Sequence, residues 1–341
     1  MDLYPEIVHQ GNLSPDTFAE VDGVCEQIVV ATKGFGTNEV GLIRALASQS
    51  PTTRCKIAIR FKDVHDKGKE LKKLIESECG KGDFGMALQL LSVSPDEADC
   101  EIIKKACKGI NDDLLLYPII VGRSNRDMEV LRKKFFAMYS KDLGQYLTSE
   151  LGGDFEDLIV NCLQASEESY DSLFHTDDKA KEDAEALFKM GQGQWGTDEK
   201  GLFKLLCFIP PQHMKNIHQI YADKYGYTLV KAMEKEFAGK TRDAVIHLVN
   251  MKIRPAEAVA KLVDKACKGF GTNELLLTAV LIRYQTILKD VMEAHEELYG
   301  KNIIQRIMDE TDGDYKRLLV QLCQSAQTAS EEEKNDGTVE C

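Results

Sequence analysis

The heptapeptide KGFGTNE occupies residues 33–39 and recurs letter for letter at 268–274. A glycine-broken string of this length does not return by chance. The chain is therefore an internal repeat, and each copy must suit one recurring local structure. Two weaker copies complete the set, KGINDDL at 108–114 and QWGTDEK at 194–200. Aligned on the second glycine position they fall at Gly36, Asn111, Gly196 and Gly271, at intervals of 75, 85 and 75. Four units fill the 341 residues, with an extra connector between the second and third.

A second feature recurs in phase. An acidic residue followed by glycine closes a later segment of each unit: ESECGKGDF, SELGGDF, KEFAGK and DETDGDY. The matching acids are Glu78, Glu150, Glu236 and Glu310, which lie 42, 39, 40 and 39 residues beyond the aligned loop position. In the first unit Glu76 is nearer the common spacing and is the alternative to Glu78. HDKGKE at 65–70 would hold the extra residues.

Apolar spacing such as that in EIIKKACKG and LIRALASQS is helical, and no stretch alternates as a strand does. Ser14-Pro15 and SPDE at 94–97 mark helix starts. The expected fold class is all-α. The expected divisions are a short segment at 1–13, repeats at 14–93, 94–166, 184–253 and 254–326, a polar linker at 167–183, and a disordered acidic tail at 327–341.

The loop 32–39 lies between two apolar helices. Thr37 is placed to cap the second, with Glu39 in its first turn. Glycine tolerates positive φ, so the loop can turn its carbonyls toward one point. Converging carbonyls call for a cation. Ca²⁺ takes about 6–8 hard oxygens in a flexible geometry. Three neutral carbonyls need one carboxylate, and the phased acid supplies it. Positions left open would suit a phosphate or a carboxylate from a lipid headgroup. The residues between the glycine positions are apolar: Phe35, Ile110, Trp195 and Phe270. They either anchor in a membrane interface or fold back on their own loops.

Composition limits the alternatives. A net charge of −13 disfavours nucleic acid as a partner. It also opposes an anionic membrane unless a bound cation reverses the local sign. The ten cysteines form no CxxC pair and read as buried reduced thiols. The start lacks the charged and apolar regions of a signal peptide, no run is long enough to span a bilayer, and no lipidation motif is expected. No GK[ST] follows a glycine loop, no EF-hand spacing is present, and no nucleophile–base pair stands out, so an enzyme is not expected.

These phased loops, their later acids, the longer link and WGTDE in the third unit together resemble the annexin family over roughly 14–326. The resemblance implies five helices per repeat, four repeats forming a curved disc, and calcium loops on its convex face. It implies reversible, calcium-dependent binding to acidic phospholipid. Carried over by position, the carbonyl ligands would be Thr32, Gly34 and Gly36, capped by Glu78. In the third repeat they would be Gly191, Gln194 and Gly196 with Glu236, and in the fourth Cys267, Gly269 and Gly271 with Glu310. The second repeat departs most. Cys107, Gly109 and Asn111 with Glu150 remain candidates there, because asparagine tolerates positive φ next best after glycine. The family's arginine after the second helix stands at Arg123 and Arg283 and is missing from the first and third units. The expectation is a cytoplasmic monomer that visits acidic membranes when calcium rises. A calcium-independent scaffold on cytoskeletal proteins is the second reading, and it predicts lost acids.

Overall fold

A computed structural model describes the chain apart from residues 12, 35, 63–67, 194–195, 270 and 337–341, and apart from the side chains of 329–336. After a single-turn helix α1 (Glu6–His9), the first five-helix set is α2 (Asp22–Ala31), α3 (Glu39–Ala47), α4 (Pro51–Arg60), α5 (Leu71–Cys79) and α6 (Asp83–Leu91). The second is α7 (Pro95–Ala106), α8 (Asp113–Ile120), α9 (Asn125–Tyr139), α10 (Leu143–Glu150) and α11 (Gly153–Leu163). The third is α12 (Asp177–Met190), α13 (Glu199–Phe208), α14 (Pro211–Tyr225), α15 (Leu229–Glu236) and α16 (Gly239–Ile253). The fourth is α17 (Pro255–Ala266), α18 (Glu274–Arg283), α19 (Leu288–Tyr299), α20 (Ile303–Glu310) and α21 (Gly313–Asp336). Among the described residues there is no strand. The fold is all-α, in four repeating helical sets.

The same local chemistry starts the corresponding helix of each set. The side chains of Asn38, Asp112, Asp198 and Asn273 accept from Gly41, Leu115, Gly201 and Leu276 N–H at 2.9–3.0 Å. Each satisfies an amide that the first helical turn cannot. Thr37 was expected in this role, but the cap is Asn38, one residue later.

The chain divides into two compact units. One holds 1–2 and 100–258, and the other holds 3–99 and 259–341. In the first unit α11 packs on α13 and α16, and α12 on α14. Its core includes Leu147, Phe155, Phe203, Ile217 and Val245. In the second, the first and last helical sets share one interior, where α21 packs on α3 and α6. Leu42, Leu46, Leu88, Leu318 and Leu322 lie there at 0 % exposure. Burying each such side chain contributes roughly 1.5–3 kcal/mol. Within that unit Arg283, itself buried, pairs with Asp99, and Tyr4 Oη donates to the same carboxylate at 2.8 Å. The pair leaves neither buried charge uncompensated. Arg123 is likewise buried in the other unit, with Nη1 4.0 Å from Asp127 Oδ2.

Two boundaries differ from expectation. α12 begins at Asp177, capped by Thr176, so the last part of the expected linker 167–183 is helical. α21 runs to Asp336, into the segment 327–341 that was expected to be disordered. Alanine, glutamate and lysine sustain a helix once a packed turn has nucleated it. The nine described cysteines are free thiols, seven of them buried.

Candidate metal-binding loops

Each glycine loop is closed by one backbone hydrogen bond. The amide of the residue that caps the second helix donates to the carbonyl of the last residue, or its equivalent, in the first. The pairs are Asn38 to Ala31, Asp112 to Ala106, Asp198 to Met190 and Asn273 to Ala266, at 2.7–2.8 Å. The bond closes a tight turn whose described residues are largely exposed. Gly34 and Gly36 sit at φ +106° and +90°, and Gly269 and Gly271 at +122° and +89°. A side chain is strained at such φ, so glycine is required there.

The phased acids meet these loops in every set. Thr37 Oγ1 donates to the Glu78 carbonyl at 3.4 Å, and Thr272 Oγ1 to the Glu310 carbonyl at 3.1 Å. The Asn111 side-chain amide donates to the Glu150 carbonyl. In the third set Thr197 Oγ1 donates to the Glu236 carboxylate at 2.5 Å, and the Gln192 amide donates to its other oxygen. Among the described residues of the first set, Glu78 meets the loop through its main-chain carbonyl alone, while Glu76 Oε1 lies 3.4 Å from Lys81 Nζ.

The closing bonds correct one alignment. From Ala106 to Asp112 the second loop is one residue shorter than the loop from Ala31 to Asn38. Asn111 therefore matches Thr37 and Thr272, not Gly36. It is absent from the positive-φ residues, so the expected left-handed asparagine does not occur. The second glycine is deleted here rather than replaced, and Gly109, at φ +80°, is the one left-handed position of that loop. The third loop is one residue longer than the first. Its Gly193 amide bonds the Phe188 carbonyl at 2.7 Å, and a Cβ at Gly193 would lie 2.9 Å from that oxygen.

Of the apolar tip residues, Ile110 is 97 % exposed. It stands clear of its own loop. Phe35, Trp195, Phe270 and the candidate ligand Gln194 lie outside the described residues. The first residues of the second and fourth loops, Cys107 and Cys267, bury their side chains. Burial, with Glu150 nearby, pushes the Cys107 thiol up to about 11, so it stays protonated near neutral pH and offers no thiolate ligand.

Among the described residues no three histidine, cysteine or acidic side chains cluster as a metal site. What the loops offer is oxygen: backbone carbonyls, joined in the third set by the Glu236 carboxylate, while Glu78, Glu150 and Glu310 are tied to their loops through main-chain carbonyls. This hard-oxygen set fits Ca²⁺ rather than a soft metal. Three participants escaped the sequence reading. The threonine after the second glycine was visible as a repeated GT, but its bond to the distant acid was not. Gln192 and Arg306 carried no motif at all. Arg306 Nε lies 3.8 Å from Glu310 Oε1, and its Nη2 lies 3.0 Å from Asp264 Oδ1.

A family model described as Annexin matches residues 98–162, 182–248 and 258–322. Annexin A3 of Homo sapiens is 29% identical over 320 residues, covering 92% of this chain and 97% of that protein. Annexin A11 of Homo sapiens is 29% identical over 86% of this chain, which spans only 57% of the relative's length. A solved structure of annexin III superposes with a TM-score of 0.82 at 28% identity, covering 92% of this chain and 94% of the other.

Proposed function

Because this chain belongs to the annexin family, whose general property is calcium-dependent phospholipid binding, we propose that it binds acidic membranes peripherally through its glycine loops. The observation that carries the reading is the bond tying each loop to its phased acidic residue, through the carboxylate in the third set and through the main-chain carbonyl in the other three. An acid at the same position beside all four loops favours calcium over a scaffold that had abandoned it.

The proposed ligands of the first loop are the carbonyls of Thr32, Gly34 and Gly36 with Glu78. Those of the third are Gly191, Gln194 and Gly196 with Glu236, and those of the fourth are Cys267, Gly269 and Gly271 with Glu310. Cys107, Gly109, Asn111 and Glu150 form the weakest set, because that loop lacks the second glycine turn. Bound Ca²⁺ would supply positive charge with coordination positions open to a lipid phosphate or carboxylate. The protein's own task is to present neutral carbonyls at the surface and to keep a single acid in reach. Ile110 would add apolar contact at the interface, and Phe35, Trp195 and Phe270 occupy the matching sequence positions. Among the described residues no helix is long and apolar enough to cross a membrane. We place the protein in the cytoplasm, moving to membranes as calcium rises.

The test is sedimentation with phosphatidylserine vesicles, with and without calcium, against phosphatidylcholine vesicles. Pelleting that needs both calcium and acidic lipid, and reverses with chelator, is the expected result. Pelleting that ignores calcium, or none at all, overturns the proposal.

A further inference from the structure

Cys162, near the end of α11, and Cys207, near the end of α13, place their sulfurs 3.7 Å apart. Both belong to the unit that holds 100–258. A disulfide needs about 2.05 Å between sulfurs. Small rotations of two side chains on helices already in contact can close the difference. Nothing in the calcium loops uses this pair.

The surroundings are built around it. Lys252, 4 % exposed, donates its Nζ to the Cys207 carbonyl at 3.1 Å and to the Ile209 carbonyl, and lies 2.8 Å from Glu167 Oε2. The ammonium is thus pinned where α13 ends, next to Cys207. The hydrogen bond from Cys162 holds the Cys207 thiol below its usual range, and Lys252 adds to this against the opposing effect of burial. The Cys162 thiol is held well above its usual range as the donor of that bond. The two sulfurs are therefore unequal, one readier to ionise and one that keeps its proton. Both line a cavity of about 20 Å³ with Asn125, Asn161 and Lys252. That volume admits a water-sized molecule. Cys162 is half-buried and Cys207 buried, so the cavity is the route by which a small oxidant reaches the sulfurs.

We propose that Cys162 and Cys207 are a thiol pair that a peroxide converts to a reversible disulfide, cross-linking α11 to α13. The thiolate of Cys207 attacks one oxygen of hydrogen peroxide, the O–O bond breaks, and the departing hydroxide takes up one proton from solvent and leaves as water. The resulting sulfenic sulfur is attacked by Cys162. The S–O bond breaks, the Cys162 proton leaves with that oxygen, and a second water is released. Two thiols lose two electrons and one peroxide gains them. A dithiol reductant restores the pair by exchange. The cross-link ties the second helical set to the third where the connector begins. There Glu168 N–H already donates to the Phe208 carbonyl at 3.0 Å. Restraining the unfolded chain over this interval stabilises the oxidised form.

The experiment uses the full chain without substitutions. It is exposed to equimolar hydrogen peroxide, its remaining thiols are alkylated, and it is digested without reductant for mass spectrometry. The expected product is one linked pair of peptides carrying Cys162 and Cys207, formed before any other cross-link. Titratable thiols fall from ten to eight, the thermal midpoint rises by several degrees, and dithiothreitol reverses all three changes. In Cys162→Ala the link is lost, and Cys207, without its hydrogen-bond donor, reacts with peroxide more slowly than in the unsubstituted chain. Full alkylation of both cysteines after peroxide, or over-oxidation of Cys207 without a link in the unsubstituted chain, overturns the proposal.

Discussion

The third and fourth loops hold the same acid at the same phase and surround it differently. Glu236 is met by neutral donors, the Thr197 hydroxyl and the Gln192 amide, with Gly191 close against its side chain. Glu310 is met by a cation, the Arg306 guanidinium, which is anchored to Asp264. The residues four positions before the acids are Leu74, Tyr146, Ala232 and Arg306, so only the fourth set carries this charge there. A neutral donor gives up a carboxylate at a net cost of about 1.5–3 kcal/mol, and it leaves no charge behind. A fixed cation must be displaced and also repels an incoming one. On the proposed function, the third loop is therefore the high-affinity site and the fourth a site held back by its own arginine.

The largest expected effect is at Glu236. Glu236→Gln removes the one charged ligand of the third loop and weakens calcium there by about a hundredfold, roughly 3 kcal/mol. Trp195 is the single tryptophan and belongs to this loop, so terbium luminescence excited through tryptophan reads this site selectively. Unchanged terbium or calcium competition would remove Glu236 from the ligand set.

Arg306→Gln should act in the opposite direction. It leaves Glu310 free and raises calcium affinity at the fourth loop by about tenfold, or 1.4 kcal/mol. The partial exposure of the pair, with side chains at 18% and 31%, keeps the effect from being larger. Calorimetric titration would show the weakest resolved site tightening. A titration indistinguishable from the unsubstituted protein would mean that Arg306 serves only the Asp264 pair.

Gly191→Ala tests how closely the third loop holds its acid. An added Cβ would lie 3.2 Å from Glu236 Cγ and Cδ, so the carboxylate must shift by a few tenths of an ångström. The φ here is −110°, and strain of a left-handed residue does not enter. A loss of about threefold in terbium affinity is expected, less than 1 kcal/mol. A loss as large as that of Glu236→Gln would point to collapse of the loop instead.

The sequence carried most of this architecture because repetition multiplies weak signals. One glycine loop says little, but four in phase with four acids define both the helical sets and the acids that meet them. Glu236 and Glu310 were legible for that reason. What differs between copies was not. The deletion in the second loop was hidden because KGINDDL aligns without a gap on its glycine, and only the Asp112 to Ala106 closure reveals the missing residue. Arg306 was invisible for another reason. Its influence depends on one helical turn placing it beside Glu310, and nothing in the loop motif extends that far.

The second loop gives the smallest effect and the sharpest contrast with the third. With one residue fewer it has a single left-handed glycine, and Asn111 spends its amide on the Glu150 carbonyl. Fewer carbonyls can then face the point where Glu150 would deliver its carboxylate. Calcium selects oxygen number as well as charge, so an acid without its carbonyls is a poor site. Glu150→Gln should change the total calcium titration by less than about twofold, within 0.4 kcal/mol. Loss of a whole binding equivalent in that variant would mean that the shortened loop still assembles a site, and that loop length does not set the order of affinity among the four.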